Sequence, residues 1–300
     1  LGGTLRWSVG LRFTTLSVGA RYGFGNQDPQ GSMGLRRQAP AGQLDLSVYR
    51  QVSDVEPWTS GMGLGNSVKA LVLGHDDANY YLAAVGAAMS YDAYTGWLRD
   101  SRVELAYERQ ETMTNTSSSP VAGAFTPNPP IADGDYLRVA FSKSWFPGFT
   151  STAEIAVGVE AQASSDSAGG RLWGLVRLPY TRGRLRAVAR LRLGGVIGDH
   201  LPQLQYRLGG PQTVRGYAYG VERGRRFWAV QTEAEYYMRY WWSPYVFADV
   251  GHSSSGDGPL FGAGAGVSLL SGWIRAQLAR GMTQPTGWRF DLLVQVPGSW

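Results

Sequence analysis

The chain has 300 residues, with 41 Gly, 11 Trp, 16 Tyr, 10 Phe, no Cys and a formal net charge of +5. Its mean hydropathy of −0.20 is that of a water-soluble protein, and no stretch approaches the ~20 apolar residues that a membrane helix needs. Those values exclude a helical membrane protein but not a membrane barrel, in which only alternate residues of each strand face lipid. The modest basic excess points to nucleic acid or to anionic lipid only if the charge is clustered, so its placement has to decide.

Strict alternation of apolar and polar residues repeats from end to end, the period of a strand rather than of a helix. Across 5–13, Leu5, Trp7, Val9, Leu11 and Phe13 alternate with Arg6, Ser8, Gly10 and Arg12. Across 16–24, Leu16, Val18, Ala20, Tyr22 and Phe24 alternate with Ser17, Gly19, Arg21 and Gly23. Leu44, Leu46 and Val48 follow the same rule, then Val103, Leu105 and Tyr107, then Ile155, Val157 and Val159. Breaks fall at Asp28-Pro29, Pro40-Ala41-Gly42, Pro147-Gly148, Thr181-Arg182-Gly183, Ser271-Gly272 and Pro285-Thr286-Gly287, where turns are expected. Longer polar stretches lie at 56–66, 112–134, 200–224 and 253–259. Of these, 112–134 contains Pro127-Asn128-Pro129-Pro130, which cannot continue a ladder, and is expected to be a surface-exposed extracellular loop. Counting segments gives about sixteen strands of roughly ten residues, with the third near 33–36 and the fifth near 68–73.

The expected fold is therefore all-β: one transmembrane antiparallel barrel over residues 1–300, with the loop at 200–224 between the eleventh and twelfth strands. A soluble β-sandwich or propeller would alternate too. Against it stand the aromatics at strand ends, Trp7, Trp145, Trp228, Tyr240, Trp273, Trp288 and Trp300, placed as interfacial girdles require. Against it also stands the stretch 183–193, where Arg184, Arg186, Arg190 and Arg192 share one face and Leu185, Ala187, Ala189, Leu191 and Leu193 the other. Four arginines on one strand face need water or acidic partners, which a hydrated lumen provides. Because they are interleaved with aliphatics and not with stacking aromatics, nucleic acid is not an expected partner. The opening Leu1-Gly2-Gly3 has neither the basic nor the apolar region of a signal peptide. A mature chain, or a fragment of a longer protein, is expected, with a strand pattern that starts at once and no preceding periplasmic domain.

The loop after the expected eleventh strand reads Leu208-Gly209-Gly210-Pro211-Gln212-Thr213-Val214-Arg215-Gly216-Tyr217. Its Val214-Arg215-Gly216-Tyr217, following a Gly-Gly pair, resembles the sixth-loop signature of the BamA, TamA and two-partner-secretion transporter superfamily. Phe247-Ala248-Asp249-Val250-Gly251 is similar to that superfamily's Phe-x-Asp-x-Gly strand, and Glu235 falls where its twelfth strand carries a lumenal Glu. The resemblance implies that the loop folds back into the barrel, where Arg215 meets inner-wall groups among Glu235, Phe247, Asp249 and Gly251. It implies also a seam between first and last strands, here Leu5, Trp7 and Val9 against Pro297, Gly298 and Trp300, that can open or distort the bilayer. The polypeptide-transport-associated repeats that precede such barrels are missing from this chain. Alternation independently puts Glu233, Glu235, Phe247 and Asp249 on lumenal faces, and like-charge repulsion is expected to push the loop away from the arginine-rich strand.

His75, in Gly74-His75-Asp76-Asp77, sits at an expected hairpin where Asp and Gly are ordinary turn formers. No Gly-x-Ser-x-Gly elbow or Ser/His/Asp set is present. Gly262, Gly264 and Gly266 have a strand's period of two, not that of a phosphate loop, and are expected to relieve crowding on the lumenal face. The expected function is non-catalytic, needs no cofactor or metal, and belongs to a Gram-negative-type outer membrane. It is assistance to barrel-protein insertion or polypeptide translocation, with outer-membrane lipids, unfolded polypeptide clients and periplasmic or fused domains as partners. The alternatives are a pore for solutes or one secreted partner, and a membrane anchor for an enzyme domain.

Overall fold

A computed structural model describes residues 2–23, 28–56, 72–74, 79–114, 118–119, 123–124, 127–147, 153–238 and 241–294, with side chains undescribed at 2–8, 11, 23, 118–119 and 123–124. Its main feature is one sheet of fifteen antiparallel strands, each paired with its neighbours in sequence. They are β1 (Gly2–Leu11), β2 (Thr14–Gly23), β3 (Asp28–Ala39), β4 (Gly42–Asp54), β5 (Tyr80–Ala93), β6 (Ser101–Thr112), β7 (Gly134–Trp145) and β8 (Glu154–Ala163). Then follow β9 (Ala168–Arg182), β10 (Leu185–Gly198), β11 (Arg226–Tyr236), β12 (Trp242–Ser253), β13 (Leu260–Leu269), β14 (Ile274–Gly281) and β15 (Gly287–Val294). No helix among the described residues is long and apolar enough to cross a membrane.

Of the strand expected at 68–73, residues 68–71 lie outside the described residues, and Val72 and Leu73 are not part of the wall. β4 and β5 bond directly, from Gly42↔Ala93 to Asp54↔Tyr80, which leaves no position between them, and Val72 and Leu73 form part of a helical turn. The long loop therefore follows the tenth described strand instead of the eleventh. Asp28 and Pro29 open β3 opposite Gly23 and Tyr22 and do not form a turn. The first strand ends at Leu11, because Arg12 and Phe13 adopt positive φ in the turn. Leu5, Trp7 and Val9 pair with Ala20, Val18 and Leu16 of β2. Pro297, Gly298, Trp300 and His75 lie outside the described residues, and among those described β1 and β15 are not paired with each other.

The faces of the wall are inverted relative to a soluble sheet. On β6, Val103, Leu105 and Tyr107 are exposed while Glu108 and Gln110 are buried; on β8, Ile155, Val157 and Val159 are exposed while Glu160 and Gln162 are buried. The wall thus carries an aliphatic outer face and a polar inner face, the arrangement of a membrane barrel. Short turns gather at one rim, for example at Gly183 and Arg184 between β9 and β10. The strand ends that border 55–79, 113–133 and 199–225 lie at the other. Exposed Trp97, Trp145, Trp241, Trp242 and Trp273 ring the short-turn rim, and Trp228, Phe261 and Trp288 stand at the strand ends of the long-loop rim. Two aromatic belts are thus present. The described end of the 113–133 connection lies partly inward, with Pro127, Pro130 and Asp133 exposed. Ile131 is buried there, and the Ala132 N–H donates to Gln203 at 3.2 Å.

Lumenal glycines lie directly opposite aromatic rings. Gly86 faces Tyr49, Gly158 faces Trp173, and Gly264 and Gly266 face Phe247 and Tyr245. At Gly86 a Cβ would stand 2.4 Å from the Tyr49 ring, so the ring lies flat on the wall and its hydroxyl reaches Glu108 at 2.6 Å. Tyr81 and Gln110 bond the same carboxylate at 3.1 and 2.9 Å. Gly86→Leu should displace Tyr49 and cost about 1–3 kcal/mol by overpacking, whereas Ala87→Leu on the outer face should change stability by no more than about 0.5 kcal/mol. Urea unfolding in detergent micelles measures both, and equal losses would contradict this division of the two faces.

Candidate functional site

The connection between β10 and β11 enters the lumen. It begins with a single turn at Pro202–Leu204 and a short ribbon in which Tyr206, Arg207 and Leu208 pair with Gly224, Arg223 and Glu222. The tip is a tight reversal made possible by Gly209 and Gly210, at φ 108° and 85°, a region that favours glycine. Thr213 Oγ1 lies 2.9 Å from both the N–H and the carbonyl oxygen of Gly209, and the Gly210 N–H donates to Tyr217 O at 3.1 Å. Leu204, Tyr206, Leu208, Val214 and Tyr217 pack with wall residues Phe227, Ala229 and Leu260 into the largest buried apolar cluster of the molecule's described part. An apolar core therefore exists, but the loop builds it inside the wall.

Val214, Arg215, Gly216 and Tyr217 each meet the wall differently. Arg215 is 4% exposed and binds Asp249 three times: its backbone N–H at 3.0 Å, Nε to Oδ2 at 2.7 Å and Nη2 to Oδ1 at 2.7 Å. Its Nη1 donates to Glu233 Oε2 at 2.8 Å, and its guanidinium lies 3.8 Å from the centre of the Phe247 ring. Arg275 of β14 takes the other Glu233 oxygen at 2.7 Å and lies 3.8 Å over Tyr245. Two cations and two anions close a balanced network, with forked geometry that is the strongest of the common hydrogen-bonded ion pairs. Gly216, at φ 94°, brings the chain so close to β14 that a Cβ would stand 2.6 Å from Arg280 C. The Tyr217 hydroxyl donates to Phe261 O at 2.8 Å and accepts from the Thr283 N–H at 2.9 Å.

Small residues on the wall admit this approach. A Cβ on Gly251 would stand 2.9 Å from Leu208 Cδ1, and one on Gly262 would stand 1.9 Å from Arg215 O. Gly264 and Gly266, by contrast, make room for aromatic rings of the wall itself.

The structure corrects two sequence expectations. Glu235 is not a partner of Arg215; it stands between Arg186 and Tyr245 of the neighbouring strands. The loop tip lies level with the rungs Gln231↔Asp249 and Glu233↔Phe247, and the next lumen-facing position is ~7 Å further along the strand. Nor is the loop repelled from β10. Arg192 donates to Gln212 O and, at 2.8 Å, to Gln231 Oε1, because a backbone carbonyl satisfies an arginine without an opposing charge. A further contact is one that sequence reading did not find. Glu56, at the end of β4, accepts the Arg207 N–H at 2.7 Å and the Tyr219 hydroxyl at 2.9 Å. Burial pushes the Glu56 carboxyl up from its ordinary value, against the pull of Arg207 and Tyr219. Nothing in the alternation flags Glu56, since it lies beyond a strand end. Arg275, in contrast, has the inward parity of its strand as a signal in the sequence.

No family model matches the sequence, and no curated protein does. Solved structures do. CdiB from Acinetobacter baumannii superposes with a TM-score of 0.52 at 14% identity, over 97% of this chain and 55% of that one. BamA from Haemophilus ducreyi, in a form lacking POTRA domains 1–3, superposes with a TM-score of 0.63 at 10% identity, over 98% of this chain and 69% of that one. The chain thus spans little more than half the length of the CdiB chain. At such identities the likeness is one of fold alone: the chain shares its fold with the BamA and CdiB structures.

Proposed function

We propose that this chain is an outer-membrane barrel that assists insertion of barrel proteins or passage of polypeptides without catalysing a reaction. The observation that carries the reading is the loop docked inside the wall by Arg215 on Asp249 and Glu233, in a fold like those of BamA and CdiB. The outward aliphatic band and its two aromatic belts support a bilayer as the surrounding solvent, with the long-loop rim outermost. The edges of β1 and β15 form the seam. An exposed strand edge carries unpaired N–H and C=O groups that can template an incoming extended strand. On this reading outer-membrane lipids cover the wall and unfolded polypeptides are the clients. The docked loop sets how the lumen is occupied while the seam works.

The bilayer reading gives a depth-dependent expectation. Val139 points outward at the middle of β7 and Trp145 outward at its end. Val139→Arg should cost about 2–4 kcal/mol and Trp145→Arg about 0–1 kcal/mol when the chain is folded into lipid vesicles. Urea titration of vesicle-folded protein compares the two, and equal costs would remove the bilayer from that surface.

The loop reading gives a charge-reversal cycle. Arg215→Glu leaves two buried carboxylates facing a third, and breaking a buried pair costs about 3–5 kcal/mol. The variant should expose the 208–220 segment to protease and impair assembly or transport in complemented cells. Asp249→Arg in the same chain should restore part of both. A double variant no better than the sum of the two single losses would argue against direct pairing as the functional contact.

A further inference from the structure

Below the docked loop, toward the short-turn rim, β9 and β10 present a stripe of arginines to the lumen. Arg177 and Arg190 are direct cross-strand partners, and Arg190 in turn faces Gln231 of β11, a lumenal residue. Arg192 is spoken for by Gln212 O and Gln231. Arg190 is not: it is partly buried and has no hydrogen bond or ion pair among the described residues. Arg184 and Arg186 continue the same face to the rim and are exposed, with Arg186 4.4 Å over the ring of Tyr237. The carboxylates facing the stripe are few. Glu154 lies across from Arg177 and Glu235 across from Arg186. Glu233, the acid nearest Arg190, is already held by Arg215 and Arg275.

With Arg190 unmatched and Arg184 and Arg186 exposed beside it, this face carries an excess of positive charge, which concentrates anions in a confined lumen. The spacing selects among them. Arg186, Arg190 and Arg192 share one parity of the strand, with Val188 between the first two, and Arg184 precedes them in the turn, so the strand side chains stand at multiples of ~7 Å. An extended polypeptide lying beside β10 repeats its own side chains at that interval, and guanidinium groups pair with carboxylates in a forked geometry. We infer that this stripe, from Arg184 to Arg190, is a binding track for an extended, acidic polypeptide segment entering the lumen from the short-turn rim. The inference rests on the polypeptide-handling function proposed above and names the client chemistry that this wall favours.

Full-length chain in nanodiscs, titrated with fluorescein-labelled peptides of alternating Glu and Ser, alternating Lys and Ser, or Ser alone, tests it by anisotropy. The acidic peptide should bind, the other two should not, and rising salt should weaken the complex. Arg190→Ser and Arg186→Ser should each weaken binding by about tenfold, while Arg190→Lys should retain part of it. Neither arginine holds the loop, so protease resistance of 208–220 should match that of the parent chain and certify folding. Equal affinity for acidic and neutral peptides, or unchanged affinity in both Ser variants, would overturn the assignment. Displacement of the peptide by inorganic phosphate at equal charge would reassign the stripe to small anions and overturn it too. Peptide binding is read without any assembly assay. Intact binding alongside an Arg215 series that leaves assembly untouched would therefore sink the functional reading and not this one.

Discussion

A wall of single strands whose outer face is aliphatic has to put its polar half inside, and a charge placed there must be paired or wet. That constraint organises the described structure. Where the lumen is filled, at the level of Asp249 and Glu233, the loop supplies Arg215 and β14 supplies Arg275, so four charges cancel. Near β6 and β8 the wall satisfies itself. Glu108 collects Tyr49, Tyr81 and Gln110, and Glu160 is held by Arg171 and Gln162. Along β10, below the loop tip, positive charge exceeds negative among the described residues, at Arg184, Arg186 and Arg190.

The docked loop also explains where the wall needs glycine. Two glycines of adjacent strands, Gly251 and Gly262, mark where loop atoms come within van der Waals reach of the sheet. Gly216 is their counterpart on the loop and combines positive φ with close approach. Asp249 sits between these contacts, so the backbone N–H of Arg215 can reach the same carboxylate as its side chain. The ion pair and the close packing are therefore one feature: a bulkier residue at Gly262 would lift the very carbonyl whose neighbours make the salt bridge.

Much of this was legible in the sequence because a strand's period of two assigns faces without any knowledge of the fold. The outward positions of β6, β8 and β12, and the lumenal positions of Phe247 and Asp249, follow from alternation alone. Position along the barrel axis does not. Glu233 and Glu235 have the same parity, and only the depth to which the loop descends selects the former. At Val72 and Leu73, the described end of the strand expected at 68–73, the sequence misled for a related reason, since a short apolar run shows no period that separates strand from helical turn. Glu56, Arg207 and Ile131 escaped because they lie in connections. There, pairing is set by which loops meet at a rim, and sequence order does not encode it. The low identity to CdiB and BamA has the same origin. Alternation constrains residue class at each wall position and leaves identity free, while the loop and its landing strands demand particular residues.

The two halves of the loop are held by different physics, and this bears on how it could move. Leu204, Tyr206 and Leu208 pack against Phe227, with the Tyr206 and Phe227 rings stacked 4.6 Å apart. Such contacts tolerate small slides, because dispersion and burial vary gradually with position. The Arg215 end tolerates none. A shift that parts Arg215 from Asp249 leaves buried charges of both signs without partners, at a cost of several kcal/mol. A well-packed apolar tip could match the net stability of such a network, but it would not confine the loop to one rung of the wall. The loop consequently has one sharply defined docked position, set by the charges, and a more forgiving base near the rim. Release of this loop would then be expected to begin at the rim and to end, as the costly step, at Asp249.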